Sequence, residues 1–291
     1  MQKILKAVIP VAGLGIRFLP ATKSQPKEML PIVDKPVIQH IVEEAVCSGI
    51  KNIILITRKD KQAIANHFDV AYELEDVLTR RGKTIELEEI RSITKLGHFV
   101  YVRQGKPMGL GHAVLCAQDV INGEPFALLL GDEVFDDNDP AIAILLKAFK
   151  ATGKSVIGVQ EVPTTHVSRY GIVNCSKSEA SPWWEVHKIV EKPTPDEAPS
   201  NWAAVGRYVL TNDIFDYLKK IKPGTGGEYQ LTDALAMMAN NGQLMAASIP
   251  IRRYNTGDKL DYLKANVELG LKRKDIGGAL ASYIKELAKK L

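Results

Sequence analysis

The sequence predicts an α/β fold, a mixed and mostly parallel sheet flanked by helices, with further helices at the C-terminal end. Three observations carry that expectation. Apolar runs of strand length alternate with helical stretches, the pattern of a parallel sheet covered on both faces. The first run breaks into a glycine-containing loop and then into fixed cations, as strand-to-loop transitions that receive anions do. No flexible linker divides the first half of the chain from the second.

Taken in order, Ile4–Val11 is the first strand and Pro36–Ser48 the first helix, with Asp34 or Lys35 near its cap and Gly49 as its stop. Ile53–Thr57 is a continuous apolar strand. Helical stretches at Asp60–Asn66 and Tyr72–Arg81 lead to a strand at Phe99–Val102. His112–Val120 reads as a helix, Phe126–Leu130 as a buried strand and Ser155–Val162 as another. Asp136, Asp137 and Asp139 look like caps for a helix following Pro140. From about Pro163 the chain turns to Pro, Trp, Ser and short β-like runs at Gly171–Asn174, Glu185–Val190 and Ala204–Leu210. Gly224–Gly227 is a loop, Leu231–Ala239 a helix and Met245–Pro250 a last core strand. Beyond Gly257 come two helices, the second with Ile276, Leu280, Ile284 and Leu287 on one face.

Composition removes several function classes. The 291 residues carry a net charge of +4 with both signs interspersed, so no basic arm for nucleic acid is expected. The three cysteines are scattered without a C-x-x-C pair, which predicts reduced, mostly buried thiols. A strand that begins within a few residues of Met1 leaves no room for a signal peptide, and no apolar run has the length of a membrane span. A soluble, cytoplasmic protein without a membrane partner is the expectation.

The most informative stretch is Val8–Leu30, V-I-P-V-A-G-L-G-I-R-F-L-P-A-T-K-S-Q-P-K-E-M-L. Backbone N–H groups from Ala12 to Gly15, followed by Arg17, Lys23 and Lys27, make a receptacle for a polyphosphate. Two other readings of the glycines fail. A dinucleotide fingerprint needs a third glycine where Phe18 stands, and Asp34, the acid about twenty residues on, sits in a D-K-P turn. Gly153-Lys154-Ser155 resembles the tail of a Walker A loop, but its leading glycine position holds Ala148, in a helical stretch.

G-L-G-I-R-F-L-P-A-T-K, followed by P-K-E-M-L-P-I-V-D-K-P, resembles the nucleotidyltransferase family that activates sugar 1-phosphates. The P-K-E-M-L-P wording is similar to its bacterial uridylyltransferase branch, whereas thymidylyltransferase relatives typically carry S-K-Q-L-L-P there. The resemblance runs to about Ala265. It implies a Rossmann-like fold with a catalytic domain over residues 1–260, divided into a nucleotide half (about 1–162) and a sugar half (about 163–260). Residues 261–291 would then be C-terminal helices that serve a homo-oligomer, a dimer or tetramer.

The implied reaction joins UTP and glucose 1-phosphate with Mg²⁺ as cofactor, a task that calls for cations and metal and not for a covalent nucleophile. Arg17 would take the β and γ phosphates and Lys27 the α-phosphate. Asp132, which follows a buried strand through Gly131, is by its residue type either a turn residue or a metal ligand. The resemblance places the metal on Asp132 and Asp258. Ala12, Gly13, Gly15, Gln104, Gly109 and Gly131 would line the nucleotide, with the Gln104 amide on the base and the Gly109 backbone approaching it. Gly171, Glu191, Lys192 and Val205 would hold the sugar phosphate, Lys192 acting on its phosphate. Glu228 and Asp233 either line the sugar pocket or cap the helix at Thr232. Two alternatives stay open: a dTTP-dependent enzyme, since one methyl group separates the bases, and a silent regulatory paralogue that has lost its cations.

Overall fold

The computed structural model describes residues 3–136, 140–178 and 181–290. The first half comprises β1 (Lys6–Pro10), β2 (Pro31–Ile32), β3 (Lys35–Pro36), α1 (Val37–Cys47), β4 (Asn52–Thr57), α2 (Gln62–Phe68), α3 (Tyr72–Arg80), α4 (Thr84–Thr94), β5 (His98–Arg103), α5 (Leu110–Leu115), α6 (Gln118–Ile121), β6 (Phe126–Leu129), β7 (Glu133–Asp136) and α7 (Ala141–Thr152). The second comprises β8 (Ser155–Glu161), β9 (Gly171–Ser178), β10 (Ser181–Glu191), β11 (Trp202–Leu210), α8 (Ile214–Leu218), α9 (Leu231–Asn240), β12 (Leu244–Ser248), β13 (Arg252–Asn255), α10 (Lys259–Lys272) and α11 (Gly277–Ala288).

Among the described residues nine strands form one sheet in the order β5-β4-β1-β6-β11-β8-β12-β10-β9. The first four are mutually parallel, while β11 enters antiparallel to both β6 and β8. All four residues of β6 are buried, because helices cover both faces and no alternation is required. One apolar cluster joins the sheet to α1, α7 and α10, and a second joins it to α5, α8 and α9. Since β1 and β6 run parallel, with Ala7 opposite Ala127, their C-terminal ends emerge side by side. That is where a parallel sheet offers a ligand crevice.

Several expectations needed correction. The single helix expected at His112–Val120 is broken into α5 and α6. The chain also carries α4 and the β7–β13 ribbon, neither of which the pattern announced. Within α4 only Leu87 is buried, so the helix leaves little apolar periodicity to read. Asp34 caps nothing: its carboxylate pairs with Arg273 at 2.6 Å, and Pro36 is the residue preceding α1. Asp136 does not cap α7 either. Asp136 belongs to β7, Asp137 and Asp139 lie outside the described residues, and Glu44 of α1 accepts from the Ile142 N–H at 2.9 Å. Gly49 and Gly153 do end their helices, with φ of 86° and 70°, which makes the Gly-Lys-Ser run a helix terminus and not a phosphate loop. Cys47 is exposed, unlike the buried thiol expected, and all three cysteines are unpaired.

Candidate active site

A cleft of about 550 Å³ opens where β1 and β6 end. Its walls include Ala12, Gly13, Gly15, Arg17, Lys27, Gln104, Gly109, Gly131 and Asp132, contributed by the three loops that follow β1, β5 and β6. The loop after β1 winds through short 3-10 turns at Ile16–Phe18, Ala21–Lys23 and Lys27–Met29. Gly15 has φ of 70°, and the Thr22 hydroxyl donates to its carbonyl at 2.7 Å, tying the loop back on itself. Any side chain at Gly131 would stand 2.8 Å from the Pro10 carbonyl, so the two strand exits could not lie this close.

Lys27 and Asp132 meet in this cleft, Nζ to Oδ2 at 2.6 Å, with 20% and 30% of their side chains open to it. Burial pulls the Lys27 pKa down, but the Asp132 and Glu28 carboxylates together outweigh it and hold the ammonium above its ordinary value. Burial likewise pushes Asp132 up. The Lys27 charge and its hydrogen bond win, keeping the carboxyl below its ordinary value. Asp132 is thus held as an ionised carboxylate with a cation, Lys27, already against it. The Thr256 N–H and hydroxyl both donate to its carbonyl, at 2.8 and 2.9 Å. This clamp brings the N-T-G-D turn to the site, and a side chain at Gly257 would lie 3.0 Å from Asp132 Oδ2. The carboxylate of Asp258, one residue further, caps α10 by accepting from Leu260 and Asp261 N–H groups at 3.0 and 3.1 Å. Asp258 itself is outside the cleft wall.

The other candidates gather along β9–β11. Glu191 Oε2 accepts from the Thr232 hydroxyl at 2.6 Å, and Gly171 lies against both residues. Lys192 has φ of 45°, is 56% exposed at its side chain and lies 3.4 Å from Glu191. Val205 is fully buried, so only its backbone is available to a ligand. It is tied to the nucleotide side because the Leu130 N–H donates to the Gly206 carbonyl at 2.9 Å. Gly171, Glu191, Lys192 and Val205 do not line the main cleft. Gly109 lines the cleft and, with φ of 97°, its missing side chain also makes room for the Tyr229 backbone, 2.8 Å from where a Cβ would stand. Neither Glu228 nor Asp233 caps α9; Glu228 lines the cleft, while burial and the Glu191 charge push the Asp233 carboxyl up.

Comparison with known proteins bears on this geometry. The nucleotidyl transferase family model matches residues 6–271. The chain belongs to that family. It is 50% identical over 289 residues to a UTP–glucose-1-phosphate uridylyltransferase of Bacillus subtilis, covering 99% of this chain and 97% of that one. A UTP-bound UGPase from Acinetobacter baumannii superimposes with a TM-score of 0.89 at 41% identity, over 98% of this chain and 99% of the other. A UDP-glucose pyrophosphorylase complexed with UDP-glucose gives a TM-score of 0.85 at 38% identity, over 93% and 100%.

In this nucleotidyltransferase, sequence reasoning missed residues that hold the site from behind. Glu28, on the cleft wall, forms a buried ion pair with Lys61 at 2.9 Å, and burial raises the Glu28 pKa against the pull of Lys27 and Lys61. Glu28 was visible inside P-K-E-M-L-P, but Lys61 sits in a loop without any motif. Arg207, fully buried, grips Glu44 through three hydrogen bonds and donates to the carbonyls of Glu133 and Gly206. Arg253 pairs with Glu133 at 3.0 Å. These contacts fix the segments on either side of Asp132. Distant partners of this kind carry no local sequence signal.

Proposed function

We propose that the chain transfers a uridylyl group from UTP to glucose 1-phosphate, giving UDP-glucose and pyrophosphate. The observation that carries this reading is the meeting of the glycine loop, the Lys27–Asp132 pair and Gln104 in one cleft. A phosphate oxygen of glucose 1-phosphate attacks the α-phosphorus of UTP, the bond from that phosphorus to the β-phosphate oxygen breaks, and pyrophosphate leaves. No proton need move at the attacking oxygen. Arg17, exposed on the loop, would meet the β and γ phosphates, and Lys27 would stay charged beside the α-phosphate. Glu191 would take sugar hydroxyls and Lys192 the sugar's phosphate, each through a contact the substrate completes. That basic residues remain at Arg17, Lys27 and Lys192 supports an enzyme over a silent paralogue.

A divalent metal fits the donor set. Asp132 offers an ionised hard oxygen that already attracts a cation, and Asp258 follows one residue past its near neighbour Gly257. Among the described residues no group of three or more His, Cys, Asp or Glu side chains could hold an ion alone, which suits Mg²⁺ completed by phosphates and water. Bound there, Mg²⁺ would screen the polyphosphate and stabilise charge developing on the leaving group.

Among the described residues no helix is long and apolar enough to cross a membrane, which supports the cytoplasmic location proposed for the enzyme. Incubation with UTP, dTTP, CTP, ATP and GTP against glucose, galactose and mannose 1-phosphates, followed by pyrophosphate release, tests the reading. UTP with glucose 1-phosphate is expected to give the highest kcat/KM. A preference for a purine nucleotide, or release that does not need the sugar phosphate, would contradict it.

A further inference from the structure

Gln104 is 4% exposed yet reaches the cleft, so its amide has room for only a defined set of partners. Its Nε2 lies 3.2 Å from the Gly109 carbonyl oxygen and 2.9 Å from His112 Nδ1. A carbonyl oxygen only accepts, so the Gly109 contact requires the NH₂ group on that side of the amide. With one hydrogen spent there, the other points at His112, whose Nδ1 must then be the unprotonated, accepting nitrogen. Both amide hydrogens are engaged by the protein. The carbonyl oxygen is left over: among the described residues no donor reaches Gln104 Oε1.

We infer that His112 is a specificity-determining residue, holding the Gln104 amide so that it presents an acceptor and not a donor to the nucleotide base. The inference rests on the proposed contact between Gln104 and the base. An acceptor at that place receives the imide N3–H of uracil or thymine. Cytosine carries a lone pair at N3, which faces the Gln104 oxygen without a hydrogen between them. Turning the amide over would suit cytosine, but it would set Gln104 Oε1 against the Gly109 carbonyl and at the same time require the His112 proton to move from Nε2 to Nδ1. His112, in the tautomer that accepts at Nδ1, thereby acts with the Gly109 carbonyl to disfavour CTP without touching the base. Its ring is held in place by its position on α5 and its tilted approach to Tyr229, with centroids 6.5 Å apart.

The test is the ratio of kcat/KM for UTP to that for CTP, measured in the wild type and in His112→Asn, His112→Phe, His112→Ala and Gln104→Ala. An Asn amide oxygen stands near where Nδ1 does and keeps an acceptor for Gln104. His112→Asn is therefore expected to retain the ratio. Phe and Ala remove the acceptor, and the ratio should fall by about tenfold, as the loss of one hydrogen bond implies. Activity with dTTP should follow that with UTP in every variant, since both bases carry the N3–H. Equal losses with UTP and CTP in the His112 variants would mark a merely structural role and overturn the inference. So would an unchanged ratio in His112→Phe and His112→Ala when Gln104→Ala lowers it, and that outcome leaves the base-reading role of Gln104 standing. An unchanged ratio in Gln104→Ala would remove the base contact itself, and the role of His112 with it.

Discussion

Lys27 and Asp132 neutralise each other at 2.6 Å, and each holds the other in its charged form. A metal and a triphosphate would take over those two charges, so the pair is the part of the site most sensitive to a change of one atom. Asp132→Asn is expected to lower kcat by at least about a hundredfold, because it removes a charged ligand where negative charge develops. Circular dichroism should show an intact fold, and EDTA should abolish wild-type activity until Mg²⁺ is restored. Full turnover in excess chelator would exclude the metal role. A second residue, outside the cleft, sets an acid limit on stability. Burial lowers the His40 pKa from 6.5 to about 4, helped by the Lys35 charge and opposed by Glu43 and Asp34, and its Nε2 is buried without a partner among the described residues. Between those values the unfolded chain binds a proton that the fold refuses, so stability falls as the pH drops from about 6.5 towards 4. Urea midpoints measured across that window should fall more steeply in the wild type than in His40→Phe. Parallel slopes would remove His40 as the cause.

Elements, and not only residues, converge on the site, and their joints are testable. Glu44 of α1 accepts three hydrogen bonds from Arg207 of β11 and one from the first turn of α7. Arg207→Met leaves a buried carboxylate without its cation and should cost about 3–5 kcal/mol in chemical denaturation. Adding Glu44→Gln should recover part of that loss, and a double variant no more stable than the single one would contradict the account. These joints also explain what could be read from the chain alone. Strands β1, β4 and β6 were legible because burial on both faces makes them continuous apolar runs. The loop after β1 was legible because glycines and cations fall within one short stretch. By contrast α3 buries no residue and α4 buries only Leu87, so neither offers a core-facing stripe; α3 was anticipated and α4 was not. The Glu44–Arg207, Glu28–Lys61 and His112–Gln104 contacts depend on how elements pack. Gly109 was singled out for a ligand's approach and does line the cleft, while its packing against the Tyr229 backbone could not be read from the chain.

For the whole molecule, the C-terminal helices pose a packing question. The apolar stripe expected on α11 is divided: Leu280 packs over Gly270 of α10, while Ile276 and Leu287 stay exposed. A longer stripe lies on α10 itself, where Leu260, Leu263, Val267 and Leu271 are all exposed at helical spacing. We propose that this face is buried in a symmetric homo-oligomer. Light scattering should give a dimer or tetramer for the wild type and a smaller species for the double variant Leu263→Asp/Val267→Asp, and a monomeric wild type at micromolar concentration would refute it. The central claim, attack on the α-phosphorus within the cleft between β1 and β6, has a more direct test. Glucose 1-phosphate labelled with ¹⁸O on its phosphate is incubated with UTP, Mg²⁺ and the enzyme, and the products are resolved by ³¹P NMR. The label should appear in the bridging oxygen of UDP-glucose, with none in pyrophosphate; ¹⁸O in the pyrophosphate would contradict the account.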